Sequence, residues 1–112
     1  MANRAGNVQH INVNVNTSGT NVLVAGETGM TLVIINFALI AQGAVVVTLE
    51  DTGGTDRIGP LGFAANGGVS CPDTNVGWAR TASGQGLNLR LDGNVRVGGS
   101  LAYRMVPDGM RF

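Results

Sequence analysis

The chain has no lysine, one cysteine and one histidine, and each scarcity closes off a class of function. All seven cations are arginine, scattered from Arg4 to Arg111, and seven carboxylates balance them to a formal net charge of zero. Binding to nucleic acid by counterion release needs a basic stripe, and none is present. A single thiol, Cys71, excludes an intrachain disulfide. Aromatic residues make up only 4% of the chain, too few for a broad sugar-stacking platform. Charged residues are 12% of the sequence, about half the usual share of a soluble domain. A surface so poor in charge suggests partial cover by partner subunits, and arginine suits such interfaces because it pairs bidentately and tolerates partial burial.

Long apolar runs are also missing. The longest, Leu32 to Ala41, is broken by Asn36 and falls short of the roughly 20 residues of a membrane helix. Met-Ala-Asn-Arg-Ala-Gly at the start has no signal-peptide core, so the expectation is a soluble protein made in the cytoplasm, with no membrane partner.

What the chain does contain is strand pattern and glycine. At 112 residues with 18 glycines, it fits one domain. From His10 to Asn16 apolar and polar residues alternate, Ile11, Val13 and Val15 on one side and His10, Asn12, Asn14 and Asn16 on the other. That period of two predicts a half-buried strand. Thr31 to Ile40 is apolar on both faces and rich in β-branched residues, predicting a central strand covered on each side. Val45 to Val47 resume after a turn at Gln42-Gly43. Pro60 assigns its short strand to an edge or a bulge.

Asn66-Gly67-Gly68 reads as a type I′ hairpin turn. Leu87, Leu89 and Leu91 should enter the core, leaving Asn88, Arg90 and Asp92 facing solvent or an interface. Asp92-Gly93-Asn94 and Gly98-Gly99 read as turns. Short strands with a turn signal roughly every ten residues predict an all-β fold. A single β-sandwich, jelly-roll-like, of about eight strands with an extended N-terminal arm is the expected architecture. Residues 1–20 are an arm or an ordinary first strand, 21–106 the sandwich, and 107–112 a tail.

Chemistry is hard to find. Nucleophilic catalysis needs a nucleophile, a base and an orienting group together. Nothing local joins His10 to Cys71, which reads as a small buried hydrophobe. Glu50, Asp51 and Asp56 do not follow the spacing of a calcium loop, and turn chemistry explains the segment better. The glycine pairs match no phosphate-binding motif. No catalytic residue, metal or cofactor is therefore expected.

Several stretches, in order, are Val24-Ala25-Gly26, Gly43 to Val47, Ala64 to Val69, Gly77-Trp78, Thr81 to Leu89, and Val97 to Tyr103. Together they resemble a family of small virion structural proteins of tailed bacteriophages, including capsid decoration (cement) domains. The resemblance implies a non-enzymatic protein on the outer capsid surface of the virion, binding the major capsid protein and itself as a homotrimer. A tail, baseplate or fibre module is the alternative, with Trp78, Tyr103 and the loops Asp51–Asp56 and Pro72–Asn75 as its recognition face for a host receptor or glycan. Arg4, His10, Asn12, Asn14, Asn16, Trp78 and Arg80 are the residues expected to contact a subunit or capsid.

Overall fold

The computed structural model describes residues 7–74 and 77–107, and they form strands and loops with no helix. The nine strands are β1 (Val8–Val15), β2 (Gly19–Val24), β3 (Met30–Ala41), β4 (Val45–Asp51), β5 (Asp56–Phe63), β6 (Gly68–Cys71), β7 (Ala79–Arg80), β8 (Leu87–Leu91) and β9 (Val97–Pro107). They build two antiparallel sheets packed as a sandwich. The first has the order β1-β9-β3-β6, with β7 also on β3; the second has the order β2-β8-β4-β5.

Taking β6 and β7 as two pieces of one interrupted strand, the pairing is nested: β4 with β5, β3 with β6 and β7, β2 with β8, β1 with β9. This is jelly-roll connectivity. Within the stretch 1–20, Val8–Val15 form a strand of the sheet: β1 pairs with β9 from Val8↔Arg104 to Val15↔Val97 without a register shift. The tail from 108 onward, like Arg4 and Asn75, lies outside the described residues.

β3 is the central strand its composition predicts. Leu32, Ile34, Phe37 and Leu39 enter the main core with Val47, Leu49, Leu89 and Leu101 from neighbouring strands. On its other face Val33 and Ile35 join Ala102 and Val106 in a second small buried cluster. A bulge between Ile34 and Asn36 re-phases the strand, so that Phe37 still points into the core.

Two turn expectations are corrected. Asn66 does take the left-handed conformation, with φ of 63°, but it lies in a connection from β5 to β6, which belong to opposite sheets. The segment is a crossover, held by Asn66 N–H donating to the Ala41 carbonyl at 2.8 Å. Local turn chemistry was legible; the partner sheet was not. Gly98-Gly99 is no turn at all, because β9 runs straight through it. A Cβ on Gly99 would sit 1.8 Å from the Ala38 carbonyl oxygen, and φ there is 148°. The glycine is needed so that β9 can lie close against β3.

Gly99→Ala should therefore destabilise the fold by about 2 kcal/mol or more. Gly93→Ala, where the added Cβ meets nothing within 4 Å, should stay within about 0.5 kcal/mol of the parent. Urea titration of the two variants measures the difference.

Candidate functional site

Register across the first sheet fixes which side chains share its outer face, because directly opposed residues in antiparallel strands point the same way. One row runs Val8, Arg104, Val33, Arg80. Another runs Asn12, Ser100, Ala38, Ser70, and a third Asn14, Gly98, Ile40, Gly68. His10 stands opposite Ala102 between the first two. The face is small-residue and amide-rich, and these rows contain no carboxylate. Ile40 protrudes from it at 59% exposure, beside a shallow groove lined by Ala38, Asn66, Gly68 and Ser70.

Among the described residues, those expected to make contacts fall on or beside the two edge strands of this sheet. His10, Asn12 and Asn14 are exposed on β1, and Asn14 accepts a 2.7 Å hydrogen bond from Arg96. Asn16 follows the strand, exposed, and accepts a hydrogen bond from Thr17. Arg80 belongs to β7, on the far edge, with Trp78 just before it. Trp78 packs edge-on against Phe37 with ring centroids 6.5 Å apart, and its Nε1–H donates to the Pro72 carbonyl at 2.8 Å. It remains 46% exposed, a tethered edge residue and not a core anchor. The neighbouring loop is tied down by Asn36, whose amide donates to Asp73.

His10 and Cys71 are kept apart. β1 and β6 are the two ends of the order β1-β9-β3-β6, three inter-strand spacings or about 14 Å from one another. They also use different faces: Cys71, opposite Phe37, packs against the main core, whereas His10 faces outward. Tyr103 is also interior. It is buried, donates to Gln9 Oε1 at 3.3 Å, and burial first, then the Glu27 carboxylate, pushes its hydroxyl pKa upward. It cannot belong to the recognition face expected of it in a fibre module.

The second sheet carries a polar cluster. Thr48, Glu50 and Asn88 project from its outer side, yet all three are buried. Arg90 lies over them, pairing with Glu50 and, at 3.2 Å, with Asp56. Thr20 and Asn88 each donate to Glu50 Oε2 at 3.4 Å. Asn88, expected to face solvent or an interface, is buried: it stands between Val22 and Glu50 in its row and donates to Glu50 and to the Asp51 carbonyl.

A cleft of about 370 Å³ beside the cluster is lined by Ser18, Thr48, Pro60, Arg90 and Asp92, among others. Its charged groups are already engaged: Arg90 by two carboxylates, and Asp92 by the Val46 N–H at 2.8 Å. Among the described residues, no three His, Cys, Asp or Glu side chains gather to hold a metal ion.

Asp51 performs the turn chemistry its loop suggested, and more. Oδ1 accepts the N–H groups of Gly53 and Thr55, while Oδ2 takes Arg57 at 2.9 Å and the Ala82 N–H at 3.3 Å. It thereby ties the β4–β5 turn to the segment leading into β8. No sequence signal joined Asp51 to Ala82, since the contact spans 31 residues. Burial acts to raise its pKa, but the Arg57 hydrogen bond and the backbone donors of Thr55 and Ala82 outweigh it, so the net direction is down from 3.8.

Asp51→Asn should cost about 2–3 kcal/mol at neutral pH. With the folded pKa depressed, the carboxylate's contribution is complete above about pH 5 and is lost as pH falls through the folded value. Denaturant titrations at stepped pH should show the gap between parent and variant constant above that range and closing below it. Scans of the chain against protein-family models, curated proteins and solved structures return no match.

Proposed function

We propose that the protein is a non-enzymatic structural component of a tailed-phage virion. In this reading it is a decoration protein that docks the outer face of its first sheet on the assembled head. The major capsid protein is its partner, with further copies of itself as neighbours. The observation that carries the reading is that outer face: small side chains and neutral amides around one protruding isoleucine, with arginines at its margins and no carboxylate in its rows.

The Asn12 and Asn14 rows of this face, built of Asn, Ser, Ala, Gly and Ile without charge, give close approach to another surface at low desolvation cost. Jelly rolls also serve as viral capsid and lectin domains, although fold by itself does not assign a role. Many weak contacts repeated over a shell would stabilise it strongly, because a ligand that binds only the assembled lattice shifts the equilibrium toward assembly.

A host-binding tail or fibre module is the second reading, and half-exposed Trp78 is the observation in its favour. It is the weaker one, because the burial of Tyr103 leaves Trp78 without its expected aromatic partner.

The test mixes purified protein with expanded heads and with precursor heads of its own phage. Selective capture by expanded heads supports decoration, whereas capture by host cells and not by heads overturns it. Ile40→Asp should weaken head binding about tenfold or more, equivalent to about 1.4 kcal/mol. Val22→Asp, on the second sheet at a residue 65% exposed, should leave capture unchanged.

A further inference from the structure

A sandwich has four open sheet edges, each a row of unpaired backbone donors and acceptors, and natural proteins blunt such edges. Three of them are blunted here. β5 carries Asp56, Arg57 and Pro60, and its pairing with β4 is broken by register shifts. β6 and β7 are short, four and two residues, and are separated by the Pro72–Trp78 segment. β2 has a bulge between Val22 and Val24, and the Asn21 side chain donates to the carbonyls of Thr17 and Gly19 along it.

β1 is different. It runs for eight residues, pairs with β9 without a break, and contains no Asp, Glu, Lys, Arg, Pro or Gly. Its other edge meets no strand among the described residues. Three of its four apolar residues are incompletely covered: Val8 is 43% exposed, and Ile11 and Val15 are only partly buried against the core.

We propose that this edge binds the same edge of a second copy, joining two five-stranded sheets into one continuous sheet across a two-fold axis. Self-complementarity selects this occupant. Two identical antiparallel strands keep their inward and outward faces matched only if the axis passes through a residue, not between two.

With the axis at Asn12, Asn12 faces its own copy and His10 faces Asn14 of the second chain. Hydrogen-bonding side chains then meet on the outer face, and Ile11 meets Val13 on the core side. Only Gln9 against Val15 is mismatched. With the axis at Ile11, Val8 would oppose Asn14 and Gln9 would oppose Val13, two mismatches; with the axis at Val13 nothing is mismatched, but only the five residues Ile11 to Val15 of each strand pair, against seven with the axis at Asn12. Asn12 is therefore the residue on the axis, and neutrality along the whole strand lets like meet like without repulsion.

The pairing stands independently of the shell-docking reading, which concerns the sheet's face and not its edge. The two fail separately: one is read by the association state of the pure protein, the other by capture on heads.

Sedimentation analysis of the full chain over a range of concentrations tests it. The parent should form dimers. Asn12→Lys and Asn12→Asp, each placing two like charges across the axis, should each raise the dissociation constant about tenfold or more, and an equimolar mixture should restore dimers. Asn12 is exposed, so circular dichroism of both variants should match the parent, and their melting should match that of the parent diluted until it is monomeric. A parent that stays monomeric at high concentration, or forms trimers, overturns the proposal. So do variants that dimerise as well as the parent, or a mixture that shows no recovery.

Discussion

The pairing of β3 with β9 is the constraint on which the rest of the molecule depends. These are the two longest strands, twelve and eleven residues, and they form the centre of the first sheet. β1 attaches to the far side of β9, and β6 and β7 to the far side of β3, so the registers of the outer strands are inherited from the central one. β3 is apolar on both faces; its inner face is buried in the main core, and its outer face is buried at Val33 and Ile35 but open at Ile40. Slipping it by one residue would exchange two buried sets and remove neither penalty. At Gly99 an added Cβ would collide with the β3 backbone, which explains a glycine inside a strand.

Charge is distributed unevenly over a chain whose total is zero. Glu50, Asp51, Asp56, Arg57 and Arg90 lie on the second sheet and its β4–β5 turn, and they neutralise one another at short range. Burying Glu50 beneath Arg90 is stabilising only while both partners remain, because an isolated carboxylate there would be strongly penalised. The first sheet's outer rows hold arginines and no acid. One side of the sandwich thus pairs its charged groups internally. The other presents neutral small residues, a protruding Ile40 and an unblunted edge, the properties of a surface suited to contact with other proteins.

Residue periodicity made several parts of this arrangement readable. The alternation at Ile11, Val13 and Val15, the two-faced apolar strand from Thr31, and the leucines at 87, 89 and 91 all occupy the positions their spacing predicts. The contact candidates His10, Asn12 and Asn14 share one exposed row because they are two residues apart on one strand. Errors came where distant chain segments decide the outcome. Asn88 has the spacing of a surface residue, but it is buried beside Glu50 and the Asp51 carbonyl, residues far away in the chain. Gly98-Gly99 has the composition of a turn, but the carbonyl of Ala38 makes it a close-approach site. Tyr103 lies in an apolar strand whose inner face could not be assigned without its partners.

By itself, then, the sequence determined that the chain would be all-β, which positions would alternate between core and surface, and where glycine and asparagine would break the strands. These are properties of a few adjacent residues, set by backbone sterics and a repeat of two. Only the tertiary structure decided which strands pair, which turns cross between sheets, that β1 would be left as a plain edge, and that the acidic turn would be closed by Arg57 and Ala82. Each of those depends on contacts between residues tens of positions apart, where local propensity carries no information and the shared burial of two sheets selects the register.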